Sequence, residues 1–140
     1  MLYSTGLCVY EAFINGDRVG DVQLAPGSTS YDRTLYAQGA DVAGLLHLGD
    51  NAIEIVVSDG WYRGQVGAFR EPAGWGDQLA ARAELHLDSD WTTIVGTGPE
   101  WTSVSGHEKL PIALSGAAAP CPLKICASLT FDRWQCPGPK

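Results

Sequence analysis

Apolar and polar positions alternate most cleanly between residues 79 and 88. Leu79, Ala81, Ala83, Leu85 and Leu87 are interleaved with Ala80, Arg82, Glu84, His86 and Asp88. A period of two sends successive side chains to opposite faces, so this stretch is expected to be a strand with one buried and one wet face. Asp88-Ser89-Asp90 then turns the chain, and Trp91 to Thr97 is expected to return as the second arm of a hairpin. Ala52 to Ser58 shows the same period in a more apolar form: Ile53, Ile55 and Val57 share one face, Glu54 and Val56 the other.

The rest of the chain adds turns and shorter strands. Leu7 to Ile14 is an apolar run with Tyr10 and Phe13, a strand candidate, and Asn15-Gly16 follows it directly. Asn-Gly before the Arg18-Val19 segment predicts a tight hairpin, because both turn positions must accept positive φ. Leu24-Ala25-Pro26-Gly27 marks a further turn, and Tyr31 to Gln38 is expected to be extended. Asp41 to Leu46 has room for one helical turn with Asp41 as N-cap, closed by Gly49-Asp50-Asn51. Trp61 to Gly76 has little periodicity and carries Trp61, Tyr62, Phe69 and Trp75; a long aromatic loop in a compact domain is often functional. Trp101 is expected to be a core or edge aromatic. From His107 onward no convincing period emerges, and Ser115 to Pro122 is a patternless run of Ala, Gly and Pro. Five or six sequential strands, one short helical turn and a weak tail predict an all-β sandwich or jelly roll.

Composition narrows this without redirecting it. With 140 residues and 45% hydrophobic content, the chain suits one domain with a real core, and its 17 glycines suit many turns. A formal net charge of -7 argues against a nucleic-acid groove, which needs a basic patch. No apolar stretch is long enough for a membrane span. The start, Met1-Leu2-Tyr3-Ser4-Thr5, lacks the basic and apolar regions of a signal peptide, so a cytoplasmic location is the default expectation. Cys8, Cys121, Cys126 and Cys136 do not show paired metal-ligand spacing, and no histidine lies among the last three.

The candidate chemistry is that of recognition more than reaction. A glycosidase needs two carboxyl groups across a sugar, one able to protonate the leaving oxygen. The acidic residues Asp17, Asp21, Asp32, Asp50, Asp88 and Asp90 all lie near turns, where such side chains cap backbone or solvate loops. No phosphate-binding loop, dinucleotide glycine pattern or serine nucleophile elbow is present. His47, His86 and His107 are scattered without metal-spaced partners and read as surface residues, His86 on the wet face of its strand. The segment Asp59-Gly60-Trp61-Tyr62-Arg63-Gly64 is the most informative. Trp61 or Tyr62 could stack on a sugar face while Asp59 and Arg63 hydrogen-bond its hydroxyls. Equally, Asp59-Gly60 could form a turn, Trp61 plug the sandwich end, and Arg63 pair with a carboxylate. Trp75, between Gly74 and Gly76, suits either an interaction surface or a cover over the core.

Three stretches, in this order and spacing, resemble the N-terminal domain of bacterial-type α-L-rhamnosidases. They are Tyr10-Glu11-Ala12-Phe13-Ile14-Asn15-Gly16-Asp17-Arg18-Val19-Gly20-Asp21, Leu24-Ala25-Pro26-Gly27-Ser28-Thr29-Ser30-Tyr31-Asp32 and Ser58-Asp59-Gly60-Trp61-Tyr62-Arg63-Gly64. The resemblance implies a galactose-binding-like jelly-roll β-sandwich over residues 1–106, with 107–140 an irregular tail unlike the family. It implies a non-catalytic accessory domain that partners a separate catalytic (α/α)6-barrel, with a structural, docking or substrate-recognition role. The alternative is a free-standing carbohydrate-binding module for rhamnose-containing glycans, with Asp59, Trp61, Tyr62, Arg63 and Trp75 as the candidate contacts. No cofactor is expected from the residues themselves; calcium enters through the resemblance alone. Ser28 stands where the family usually has Trp, and Ala40 where it usually has Tyr, which removes aromatic surface from a sugar site. Met1 falls inside what resembles a strand, so the first strand or strands are expected to be missing and the chain to be a fragment.

Overall fold

The computed structural model describes residues 1–65, 74–86, 93–105 and 123–131, with only the backbone path at 104–105 and 123–131. Among the described residues nine strands form two antiparallel sheets: β1 Leu2–Gly6, β2 Val9–Ile14, β3 Asp17–Arg18, β4 Gln38–Ala40, β5 Gly49–Ser58, β6 Ala81–His86, β7 Thr93–Gly96, β8 Thr102–Ser105 and β9 Leu123–Phe131. The order is β4-β1-β6-β7 in one sheet and β3-β2-β5-β9-β8 in the other. The only helical element among the described residues is a 3-10 turn at Ala43–Leu45.

The core lies between the sheets and follows the period-two pattern. Leu2, Ala83 and Leu85 from the first sheet meet Tyr10, Ala12, Ile14, Ile53, Ile55 and Val57 from the second, in one buried cluster. Val9 and Val56, on the opposite face of their strands, are also buried. Val9 is covered in part by Gly60, which approaches so closely that a Cβ there would lie 2.1 Å from Val9 Cγ2. One polar contact pins the sheets together inside this apolar layer. The Tyr10 hydroxyl of β2 donates to the Ser4 carbonyl of β1 at 2.8 Å and lies 2.9 Å from the Ser4 hydroxyl. Burial raises the Tyr10 phenol above its usual range, so it stays a neutral donor.

The all-β sandwich expected from the sequence is what the chain forms, with differences in detail. The run Leu7–Ile14 begins as a strand only at Val9; Leu7 and Cys8 form the bend that carries the chain from β1 in one sheet to β2 in the other. Asn15 and Gly16 take φ of 53° and 88°, as a two-residue hairpin turn requires, and pair Ile14 with Asp17. Asp41 is not the N-cap of the helical turn: Val42 holds that position, and Asp41 Oδ1 instead accepts from the Ala43 amide at 3.0 Å. Gly49-Asp50-Asn51 does not terminate a helix but opens β5, which runs three residues longer at its start than the periodic stretch. Tyr31–Gln38 is mostly turn and irregular chain, extended only where it enters β4.

The tail read as irregular contains β9, which pairs with β5 from Gly49↔Phe131 to Val57↔Leu123 and with β8 on its other side. Its sequence, Leu-Lys-Ile-Cys-Ala-Ser-Leu-Thr-Phe, alternates apolar and polar residues, which suits a strand laid along a half-buried sheet. The expected Asp88–Asp90 turn, Leu87, Trp91, Phe69, His107, Cys121 and Cys136 lie outside the described residues.

His86 departs from its expected wet surroundings. It sits on the outer face of β6, but its side chain is only 12% exposed because Tyr3 of β1 meets it edge-to-face at 5.2 Å. Its Nε2 lies 3.1 Å from Glu84 Oε2, and Arg82 pairs with the other Glu84 oxygen. The hydrogen bonds from His86 and then Arg82 hold the Glu84 carboxyl below its usual range. Because the folded value is the lower one, the stabilisation is fully present above the ordinary glutamate range and fades as pH falls through the lowered value. The melting temperature of Glu84→Gln should therefore lie below that of the parent at neutral pH, and the two should converge on acidification; a gap that persists at the lowest pH would refute this role.

Candidate functional site

The end of the sandwich where β1 and β5 finish and β2 and β6 begin gathers the candidate residues. The 59–64 loop leaves β5 after Ser58, whose register partner is Val9 at the start of β2. The 74–80 segment arrives at β6 from the other sheet. The Ala80 carbonyl accepts from the Leu7 amide at 2.8 Å and from the Cys8 thiol at 3.5 Å, tying that segment to the β1–β2 bend. Cys8 is fully buried here, and burial pushes its thiol up to about 12, so it is a packing residue with no thiolate to offer.

The 59–64 loop is a closed turn. The Gly64 amide donates to the Gly60 carbonyl at 2.8 Å, and a Cβ at Gly64 would meet that oxygen at 2.4 Å. Across this turn Arg63 Nε donates to Asp59 Oδ1, and Arg63 Nη1 reaches the Asp77 carbonyl at 3.5 Å. Asp59 and Arg63, candidates for sugar hydroxyls, thus engage each other. Each keeps a quarter to a third of its side chain exposed.

Tyr62 and Trp75 lie side by side, and a third ring touches both. Tyr31 meets Tyr62 edge-to-face at 5.2 Å and Trp75 at 5.7 Å. The Tyr62 carbonyl accepts from the Trp75 amide at 3.3 Å, and Gly76 lies so close to the Tyr62 ring tip that a Cβ would fall 2.2 Å from the hydroxyl. Tyr31 is anchored by its hydroxyl donating to the Gly27 carbonyl at 3.1 Å. Trp75 remains 45% exposed and Tyr36 51% exposed. Trp61 is half-buried and is not a member of the core cluster. Tyr31 escaped selection from the sequence because its segment has no period; only the folded loops bring it between Tyr62 and Trp75.

Among the described residues no three of His, Cys, Asp and Glu converge as a metal-binding group, and Asp59 is committed to Arg63. Nor is any described helix long and apolar enough to cross a membrane.

Two antiparallel sheets around one core, with aromatic loops and an ion pair at one end, define a β-sandwich domain that presents loops from a rigid frame. Residues 1–114 match the α-L-rhamnosidase N-terminal domain, and the chain belongs to that family. It is 42% identical over 117 residues to an α-L-rhamnosidase of Streptomyces avermitilis, a match covering 82% of this chain and 11% of the relative. An α-L-rhamnosidase of Formosa agariphila is 35% identical over 71 residues, covering 51% of this chain and 8% of the relative. One from Alteromonas sp. strain LOR is 28% identical over 102 residues, covering 71% and 11%. The crystal structure of the Streptomyces avermitilis α-L-rhamnosidase complexed with L-rhamnose superposes with a TM-score of 0.64 at 41% identity, over 75% of this chain and 10% of that one. The chain thus spans about a tenth of the length of the relatives it matches.

Proposed function

We propose that this chain acts as the non-catalytic accessory domain of an α-L-rhamnosidase, a glycoside hydrolase releasing terminal rhamnose, and packs against that enzyme's catalytic (α/α)6-barrel. The observation that carries this reading is the extent of the match: it is confined to the N-terminal domain, and nine-tenths of each relative lies elsewhere. Two of the carboxylates described above, Asp59 and Glu84, are consistent with it. Glycosidase chemistry needs a carboxylic acid kept protonated opposite a second carboxylate. Asp59 is bound to Arg63, and Glu84 is pushed the opposite way, toward the ionised form. The exposed Trp75 and Tyr36 supply apolar surface for a neighbouring domain.

A second reading, a module that binds rhamnose-containing glycans, is favoured by one observation: exposed Trp75 leans on Tyr31, which also meets Tyr62. Two measurements separate the readings. Incubating the chain with an aryl α-L-rhamnoside should release no aglycone; release would overturn the non-catalytic assignment. Titrating L-rhamnose into the chain, with and without calcium, should give no saturable signal. Saturable binding that disappears in Trp75→Ala would put the module reading in place of the packing one.

A further inference from the structure

The Asn15-Gly16 dipeptide does more than turn a hairpin. Asn followed by Gly is the sequence in which an amide side chain is most open to attack by the next backbone nitrogen, because glycine offers no side chain to obstruct it. Here that amide is held at every polar atom. Asn15 Nδ2 donates to the Leu45 carbonyl and to Asn51 Oδ1, both at 2.9 Å, and Asn15 Oδ1 accepts from the Ala52 amide at 2.9 Å. The Asn15 amide nitrogen of the backbone also donates to the Ala52 carbonyl at 2.9 Å. Attack requires the side-chain carbonyl carbon to present its face to the Gly16 nitrogen, and rotating it there breaks all three side-chain bonds.

We infer that Asn15 is a site of spontaneous deamidation that the folded state keeps silent, and whose conversion releases the segment from Leu45 to Ala52. The reaction needs only water and a general base from solvent. The deprotonated Gly16 nitrogen forms a bond to Asn15 Cγ, the Cγ–Nδ2 bond breaks, and ammonia leaves with the proton. Water then opens the resulting five-membered imide at one of its two carbonyls, giving aspartate or isoaspartate. In isoaspartate Cγ stays bonded to the Gly16 nitrogen and the former main-chain carbonyl becomes the free carboxylate; in aspartate an oxygen stands where Nδ2 was. A carboxylate cannot donate, so it would face the Leu45 carbonyl and Asn51 Oδ1, two acceptors, across the distances that two hydrogen bonds now span. Isoaspartate adds a methylene to the main chain of a two-residue turn, and the Ile14↔Asp17 and Phe13↔Arg18 pairing cannot survive the longer path.

The chain is aged at mildly alkaline pH, in native buffer and in guanidinium chloride, and conversion at Asn15 is followed by peptide mass mapping and enzymatic isoaspartyl methylation. The denatured chain is expected to convert at the rate of a free Asn-Gly peptide containing the same neighbours. The folded chain is expected to convert at least about tenfold more slowly, since three hydrogen bonds must be surrendered first. Converted protein, separated by its extra negative charge, is expected to melt at a lower temperature than unconverted protein from the same sample. Equal rates in the two buffers would overturn the protection, and equal melting temperatures would overturn the release. Asn15→Asp made directly provides the aspartate product without ageing and should reproduce the lowered melting temperature.

Discussion

Replacing Asn51 by Ala should cost about 4 kcal/mol, the larger share of what a small domain has to spare. The residue is 1% exposed, and its side chain is fully used. Nδ2 donates to the His47 carbonyl at 2.8 Å and the Gly49 carbonyl at 3.0 Å, while Oδ1 accepts from the His47 amide at 3.0 Å and Asn15 Nδ2 at 2.9 Å. Truncation leaves those four groups facing one another without their shared partner, and partly buried groups left so cost more than the bonds themselves contributed. Chemical denaturation measures the loss, and the melting temperature should fall by on the order of 10 °C. Asn51→Asp separates the two halves of the network. It keeps the acceptor toward the His47 amide but sets a buried carboxylate oxygen against the His47 and Gly49 carbonyls, so it should cost at least as much as Asn51→Ala. A change below about 1 kcal/mol for Asn51→Ala would show that solvent replaces the network readily.

Ile55→Ala should cost about 3 kcal/mol by a different route. Ile55 is fully buried at the middle of β5, which has a hydrogen-bonded strand on each side, so the surroundings have little freedom to close over the lost atoms. Ile55→Val should cost about 1 kcal/mol by the same measurement. An Ile55→Ala loss no greater than that of Ile55→Val would mean that this part of the core is loosely packed.

Those two positions also mark what the sequence makes legible. Ile55 announces itself: it sits between Ile53 and Val57 at period two, and the face it shares is the buried one. The Asn15-Gly16 turn was equally plain, because few dipeptides accept positive φ twice. Asn51 was read only as the end of a helical turn. Its role depends on Asn15, 36 positions away, and no local pattern encodes that meeting. β1 was visible only through the family resemblance at Met1, and left no apolar pattern of its own, for a related reason. Ser4, a polar residue, occupies a core-facing position that breaks the apolar alternation, and it is tolerated there because Tyr10 from the facing sheet satisfies it. β9 does alternate, yet it follows a stretch of Ala, Gly and Pro that draws attention away from the pattern.

The candidate site divides along the same line. The Arg63–Asp59 pair is four residues apart within one turn and was open to view as one of two readings. The aromatic contact was half visible: Tyr62 and Trp75 stood out as large side chains in a loop, but Tyr31, which touches both, comes from a turn segment some thirty residues before Tyr62. Contacts made within a strand or turn leave periodic or dipeptide signatures. Contacts among loops are set by where the strands deliver their ends, and are read only once the sheets are assembled.

The place of β9 in its sheet has a consequence for how the chain is made. Synthesis runs from the N-terminal side, so β5 emerges from the ribosome long before residues 123–131 exist to pair with it. Until then one whole side of β5, which carries the buried Ile53, Ile55 and Val57, presents unpaired amides and carbonyls. β2, already made by then, can pair along the other side at once. The nascent domain must therefore wait with an open template at the centre of its second sheet, the kind of surface that recruits a neighbouring nascent chain. Slow translation through the intervening segment would lengthen that exposure, and a holdase covering β5 would shorten its consequences.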